Sequence, residues 1–92
     1  MAQSFPLPKW GVTMEEGTIL EWNVQPGEPV EENTVIGQVE TDKITVEFVS
    51  PVKGILAAHL VEPGTTVEVG EDIVVIADNE EDYEAYKKLK GS

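Results

Sequence analysis

Side chains that could do chemistry are few in this 92-residue chain, and most of them are carboxylates. Cysteine is absent, so the polypeptide offers no thiolate for metal, no thiol nucleophile and no redox centre of its own. The sole histidine, His59, has no Ser-His-Asp or Cys-His arrangement around it, and a base without a nucleophile and an orienting partner does not make a hydrolase. Acidic pairs at Glu15-Glu16, Glu31-Glu32 and Glu71-Asp72 lack EF-hand ligand spacing and serve mainly solubility. That leaves lysine. Before the tail there are three, Lys9, Lys43 and Lys53, set among fourteen acids. Lys43 is the one at the tip of a turn, in "ETDKI".

The elements around that tip read as a hairpin. Residues 36–49, "IGQVETDKITVEFV", are two alternating runs on either side of Asp42-Lys43. With those two residues as the loop, partners across the hairpin have numbers that sum to 85, so Val39 faces Val46, Gly37 faces Phe48, Gln38 faces Glu47 and Glu40 faces Thr45. Apolar residues then share one face and polar residues the other, and a slip of one residue would destroy that sorting. Gly37 opposite Phe48 is expected to leave room for the ring. The turn itself is a poor one by propensity, because short hairpins favour Asn-Gly or Asp-Gly. Asp42 can hydrogen-bond locally, but Lys43 adds little to turn formation, which leaves exposure or chemistry as the reason for it.

The hairpin sits at the midpoint of an internal repeat. "GTILEWNVQPGEPVEENTVIGQVE" (17–40) overlays "GILAAHLVEPGTTVEVGEDIVVIA" (54–77) without a gap, at a constant offset of 37. Val24 meets Val61, Pro26-Gly27 meets Pro63-Gly64, Val30 meets Val67 and Ile36 meets Ile73. Each copy carries a Pro-Gly pair of the type II turn kind, between strand-like runs. Two short β units, each too small to bury its own apolar face, must pack together. The expectation is an all-β fold, a flattened barrel or sandwich with pseudo-two-fold symmetry. The offset equates the Thr41–Lys43 turn with residues 78–80, so the hairpin and the ends of the domain are expected at opposite poles. Trp10 and Trp22 are expected in the core, and His59, which aligns with Trp22, in a strand. The tail "NEEDYEAYKKLKGS" has charges suited to a short helix, but its few apolar residues favour a solvated linker over 80–92, its Gly91-Ser92 end reading as a cloning scar. Residues 1–4 are expected to be flexible, leaving 5–79 as the domain.

A net charge of −12 repels phosphate backbones and anionic headgroups, which argues against nucleic acid and membrane as partners. No basic n-region with an apolar h-region opens the chain, and no stretch approaches the roughly twenty apolar residues of a membrane span. An intracellular setting is expected.

With "ETDKI" at the centre of a duplicated β domain, the sequence resembles the lipoyl domains of the acyltransferase components of 2-oxo acid dehydrogenase complexes. "LPKWGVTMEEGTILEW" is similar to that family's first strand, loop and second strand, and "SPVKGIL" to the segment after its hairpin. The resemblance implies a barrel-sandwich hybrid of two four-stranded antiparallel sheets, and lipoic acid joined by an amide to Lys43. It implies that Glu40, Thr41, Asp42 and Ile44 form the turn recognised for modification by a lipoate protein ligase or lipoyl transferase. It also implies that the loop Gly11, Val12, Thr13, Met14, Glu15, Glu16 and Gly17 influences recognition by a thiamine-diphosphate-dependent decarboxylase. The domain would then be a non-catalytic, monomeric carrier of acyl groups and reducing equivalents, moving between that decarboxylase, an acyltransferase domain and dihydrolipoyl dehydrogenase. Its setting would be the bacterial cytoplasm or the mitochondrial matrix. The related biotinyl domains carry methionines on both sides of the lysine, where this chain has Asp42 and Ile44. Ile44 replaces a frequent alanine, and Glu32 a frequent glycine eleven residues before the lysine. "PKWG" with "MEEG" resembles acetoin dehydrogenase complexes more than pyruvate or 2-oxoglutarate ones. The alternative from another class is an unmodified β interaction module whose Lys43 is only a solvated turn.

Overall fold

In the computed structural model, which describes residues 2–89, the alternating runs become β1 (Gln3–Pro6), β2 (Glu16–Trp22), β3 (Pro29–Val30), β4 (Val35–Glu40), β5 (Thr45–Val49), β6 (Gly54–His59), β7 (Thr66–Glu68) and β8 (Asp72–Ala77), followed by helix α1 (Glu80–Leu89). The strands form two four-stranded antiparallel sheets, ordered β1-β8-β6-β3 and β5-β4-β2-β7. This is the all-β sandwich expected from the repeat.

The offset of 37 maps β2 onto β6, β3 onto β7 and β4 onto β8, and so carries one sheet onto the other. Each sheet contains strands from both halves, since β3 pairs with β6 and β7 with β2. Neither repeat can complete a sheet alone. The loop hydrogen bonds obey the same rule. Gly27 N–H donates to Leu56 O at 2.8 Å and its mate Gly64 N–H to Ile19 O at 2.6 Å, while Asn23 N–H donates to Ile36 O and Leu60 N–H to Ile73 O. Both Pro-Gly turns close as expected, with Gly27 and Gly64 at φ 96° and 92° and bonds from Glu28 N–H to Gln25 O and from Thr65 N–H to Glu62 O.

Inside the sandwich the symmetric pairs Ile19/Leu56, Ile36/Ile73 and Val30/Val67 pack together with Val39, Phe48 and Ile76. Burying one such side chain contributes about 1.5–3 kcal/mol.

The tail departs from expectation. Glu80–Leu89 is a helix, capped by Asn79, whose Oδ1 accepts from Asp82 N–H at 2.8 Å. Acids fill its first turn and Lys87 and Lys88 its last, matching the macrodipole. Tyr83 and Tyr86, three residues apart, pack on a small cluster of Ala57, Val75 and Ala77 on the outer face of the β8–β6 sheet. That face needs a cover, because Ile73–Ala77 is buried without alternation. The start of the chain is also more ordered than expected, with Gln3 and Ser4 paired to Ile76 and Val75 in β1. Met1 and residues 90–92 lie outside the described residues, so the expectations placed on them are untouched.

Candidate functional site: the Lys43 hairpin and its flanking loop

β4 and β5 pair as read from the sequence, Glu40 with Thr45, Val39 with Val46, Gln38 with Glu47 and Gly37 with Phe48. The role given to Gly37 needs correction. A Cβ there would stand 2.8 Å from Glu21 O and 2.8 Å from Cε3 of Trp22, its partner on β2. The missing side chain makes room for the indole, not for Phe48.

How the turn closes without glycine is answered by Thr41. Its N–H donates to Ile44 O at 2.8 Å, its hydroxyl donates to the same oxygen at 2.8 Å, and its Oγ1 accepts from Ile44 N–H at 3.1 Å and, more weakly, from Lys43 N–H at 3.4 Å. Such side-chain-to-backbone bonding lets Thr build turns that propensity alone would not favour. Asp42 and Lys43 accordingly stay at negative φ, Asn33 being the only non-glycine with positive φ among the described residues. The hydroxyl three residues before the end of the turn is a signal visible in the sequence, where the family resemblance implies for Thr41 a place in the recognised turn but not this closing role. Lys43 is exposed and forms no ion pair with any described residue.

The pairings also locate the hairpin. Glu40 pairs with Thr18 and Glu16 with Glu68, Val69 N–H donates to Glu15 O, Gly70 N–H to Leu7 O, and Asp72 pairs with Pro6. The hairpin, the first loop and the start of β8 therefore share one pole. β8 runs away from that pole for six residues, about 20 Å at roughly 3.3 Å per residue, to Ala77 opposite Ile55 and Ile76 opposite Gln3. β1 begins and β8 ends far from Lys43.

The loop Gly11–Gly17 lies against the hairpin. Met14, 7% exposed, anchors it in the core and accepts at Sδ from Trp10 N–H at 3.4 Å. Gly17 lets β2 approach β4, since a Cβ there would lie 2.8 Å from Val39 Cγ1. Two grooves result. One, of about 390 Å³, runs between the loop and the hairpin and is walled by Glu15, Glu16, Glu40 and Asp42. The other, of about 270 Å³, is bounded by Trp10, Val12 and Met14 on the loop and by Lys43 and Ile44 on the turn. The structure thus brings together the turn residues and the loop residues singled out from the sequence. Trp10 is not in the core as expected. It is 37% exposed on this pole, because it belongs to the "PKWG" connection and not to a strand.

Trp22 and His59 lie away from this site and near the symmetry axis. Their rings stack at 4.4 Å and 10°. Trp22 Nε1–H donates to Val61 O at 3.0 Å, and His59 Nε2 lies 2.8 Å from Val24 O, the symmetry mate of Val61. A carbonyl only accepts, so Nε2 carries the proton. Burial holds the His59 pKa below its ordinary value, partly offset by that hydrogen bond.

Comparison with known proteins adds independent evidence. The biotin/lipoyl family profile, described as "biotin-requiring enzyme", matches residues 3–76. The mitochondrial dihydrolipoyllysine-residue acetyltransferase component of the pyruvate dehydrogenase complex of Caenorhabditis elegans is 38% identical over 85 residues, covering 91% of this chain and 17% of that protein. Its counterpart from Bacillus subtilis strain 168 is 43% identical over 74 residues, covering 80% of this chain and 17% of that protein. This chain therefore spans about a sixth of the length of these curated relatives. Among solved structures, the lipoyl domain of the 2-oxoglutarate dehydrogenase complex from Azotobacter vinelandii superposes with a TM-score of 0.62 at 28% identity, covering 86% of this chain and 98% of that one.

Proposed function

The chain belongs to the biotin/lipoyl-attachment family and has the form of a lipoyl domain, and on that premise we propose that Lys43 is the residue to which lipoic acid is joined. The observation that carries this assignment is the exposed Lys43 amine, paired with no described residue, on a turn that Thr41 closes, at the pole away from the start of β1 and the end of β8. The residues present fit the group: the exposed Lys43 amine can form one amide, and Asp42 and Ile44 replace the methionines that flank the lysine in biotinyl domains. When bound, lipoic acid supplies a dithiolane, and hence the redox-active sulfurs that a cysteine-free chain lacks.

The chain's own residues do the positioning. Thr41 holds the turn, Asp42 and Ile44 shape it for a lipoate ligase or lipoyl transferase, and Glu40 fixes its root by pairing with Thr18 and Thr45. The rigid sandwich presents the arm, and tethering within a larger assembly raises its effective concentration at each partner. The loop Gly11–Gly17 and the acidic groove beside it form the surface offered to the decarboxylase. The remaining partners are the acyltransferase domain and dihydrolipoyl dehydrogenase of a 2-oxo acid dehydrogenase complex, in the bacterial cytoplasm or the mitochondrial matrix. The acetoin reading rests on "PKWG" and "MEEG" alone, whereas the relatives compared are named for pyruvate dehydrogenase.

The test is direct. Incubation with a lipoate ligase, lipoate and ATP is expected to raise the intact mass by one lipoyl group, and Lys43→Ala to abolish the increment. No increment, or one mapped to Lys53, overturns the assignment.

A further inference from the structure

Lys43 forms part of the wall of an apolar groove whose other wall is the first loop. Of the large apolar side chains left exposed, Trp10 (37%), Val12 (92%) and Ile44 (60%) all border this one feature. Sequence-distant loops have converged to make it, and no described strand or helix covers it. Single exposed apolar residues are ordinary, but three around one groove mark a surface that meets something apolar.

We propose that this groove is a resting dock for the lipoyl group carried on Lys43, so that the arm is not free in solvent between partner visits but lies folded against Trp10, Val12 and Ile44. The inference rests on the assignment of Lys43 above. Its occupant is identified by position and chemistry. An arm long enough to enter another protein's active site is long enough to fold back on its own root. A group attached to a residue of the wall needs no diffusional encounter, so weak apolar contact suffices to populate the docked state. The volume, about 270 Å³, lies just below the roughly 300–1,000 Å³ of pockets that hold drug-sized ligands, and so suits a small ring with a short chain. The walls match a soft, polarisable disulfide ring: the Trp10 indole, and Met14, whose thioether accepts from the Trp10 backbone N–H. The neighbouring groove between the same loop and hairpin is lined by carboxylates, so of the two the apolar groove suits an apolar arm.

The test uses the ligase-modified domain with its mass verified, which separates the two readings: no mass increment defeats the attachment site, and only the modified protein bears on the dock. By NMR, nuclear Overhauser contacts are expected between dithiolane protons and the methyls of Val12, Met14 and Ile44, with shift changes there and none at Leu60, an exposed apolar residue outside the groove. Val12→Asp, at a position 92% exposed and so harmless to folding, is expected to become lipoylated like the wild type and to lose the contacts. A modified wild type with no contact to the groove, or contacts that survive Val12→Asp unchanged, overturns the dock.

Discussion

Replacing Thr41 by valine removes one oxygen and keeps shape and β-branching, so it isolates the hydroxyl that closes the turn. In the wild type that hydroxyl bonds Ile44 O at 2.8 Å and Ile44 N–H at 3.1 Å, and the backbone bond from Thr41 N–H to Ile44 O remains in the variant. A net hydrogen bond contributes about 0.5–1.5 kcal/mol, and the partial exposure of this site favours the low end, so losing two costs the turn about 1–2 kcal/mol. At 1.4 kcal/mol per factor of ten, the Ile44 amide is expected to exchange with solvent about 5- to 30-fold faster, through local opening of the tip. Val39 and Ile36, in the buried part of β4, are expected to keep their protection, and the melting temperature to move little. Lipoylation efficiency, read as kcat/KM of the ligase for the domain, should fall in the same direction, because the enzyme must then order the tip it binds. Thr41→Ser keeps the oxygen and should restore both readouts. If valine leaves Ile44 exchange unchanged, or serine is as damaging as valine, the turn is not held by the hydroxyl.

Three further outcomes are expected. Because burial lowers the His59 pKa, the unfolded chain binds this proton more readily than the folded one, so His59 should make stability rise with pH through the imidazole range and fall below it. Denaturant titrations of the wild type minus His59→Gln across about pH 5–7 should show that slope, and a flat difference would refute it. Gly37→Ala places a methyl against Trp22 and Glu21 O, and should cost about 1–3 kcal/mol in chemical denaturation and shift the Trp22 emission; a neutral result would mean that β2 yields freely. Tyr83→Ala with Tyr86→Ala should undock α1, seen as rapid amide exchange throughout Glu80–Leu89 while the β4–β5 hairpin keeps its protection. Retained protection in the helix would show that another contact holds it.

Much of the architecture was written in the order of residues. A period of two sets which side chains face inward, so the register of β4 on β5 follows from Val39, Val46 and Phe48. The repeat offset and the two Pro-Gly turns follow from identities that a single chain displays. Other features depend on which residues meet. The continuous apolar run Ile73–Ala77 is plain in the sequence, but only the packing shows that it is buried on both sides and that Tyr83 and Tyr86 provide the second cover. Gly37 serves Trp22 because β2 and not β5 supplies the crowding neighbour, a choice made by side-chain direction across three strands. Trp10 faces the surface because a connection between strands has no obligatory inner face. The sequence by itself determined the strands, their symmetry and the lysine at the tip, since these rest on local patterns. Only the tertiary structure decided that loop and hairpin enclose two grooves beside the turn, one acidic and one apolar, since a site assembled from segments some thirty residues apart has no local pattern.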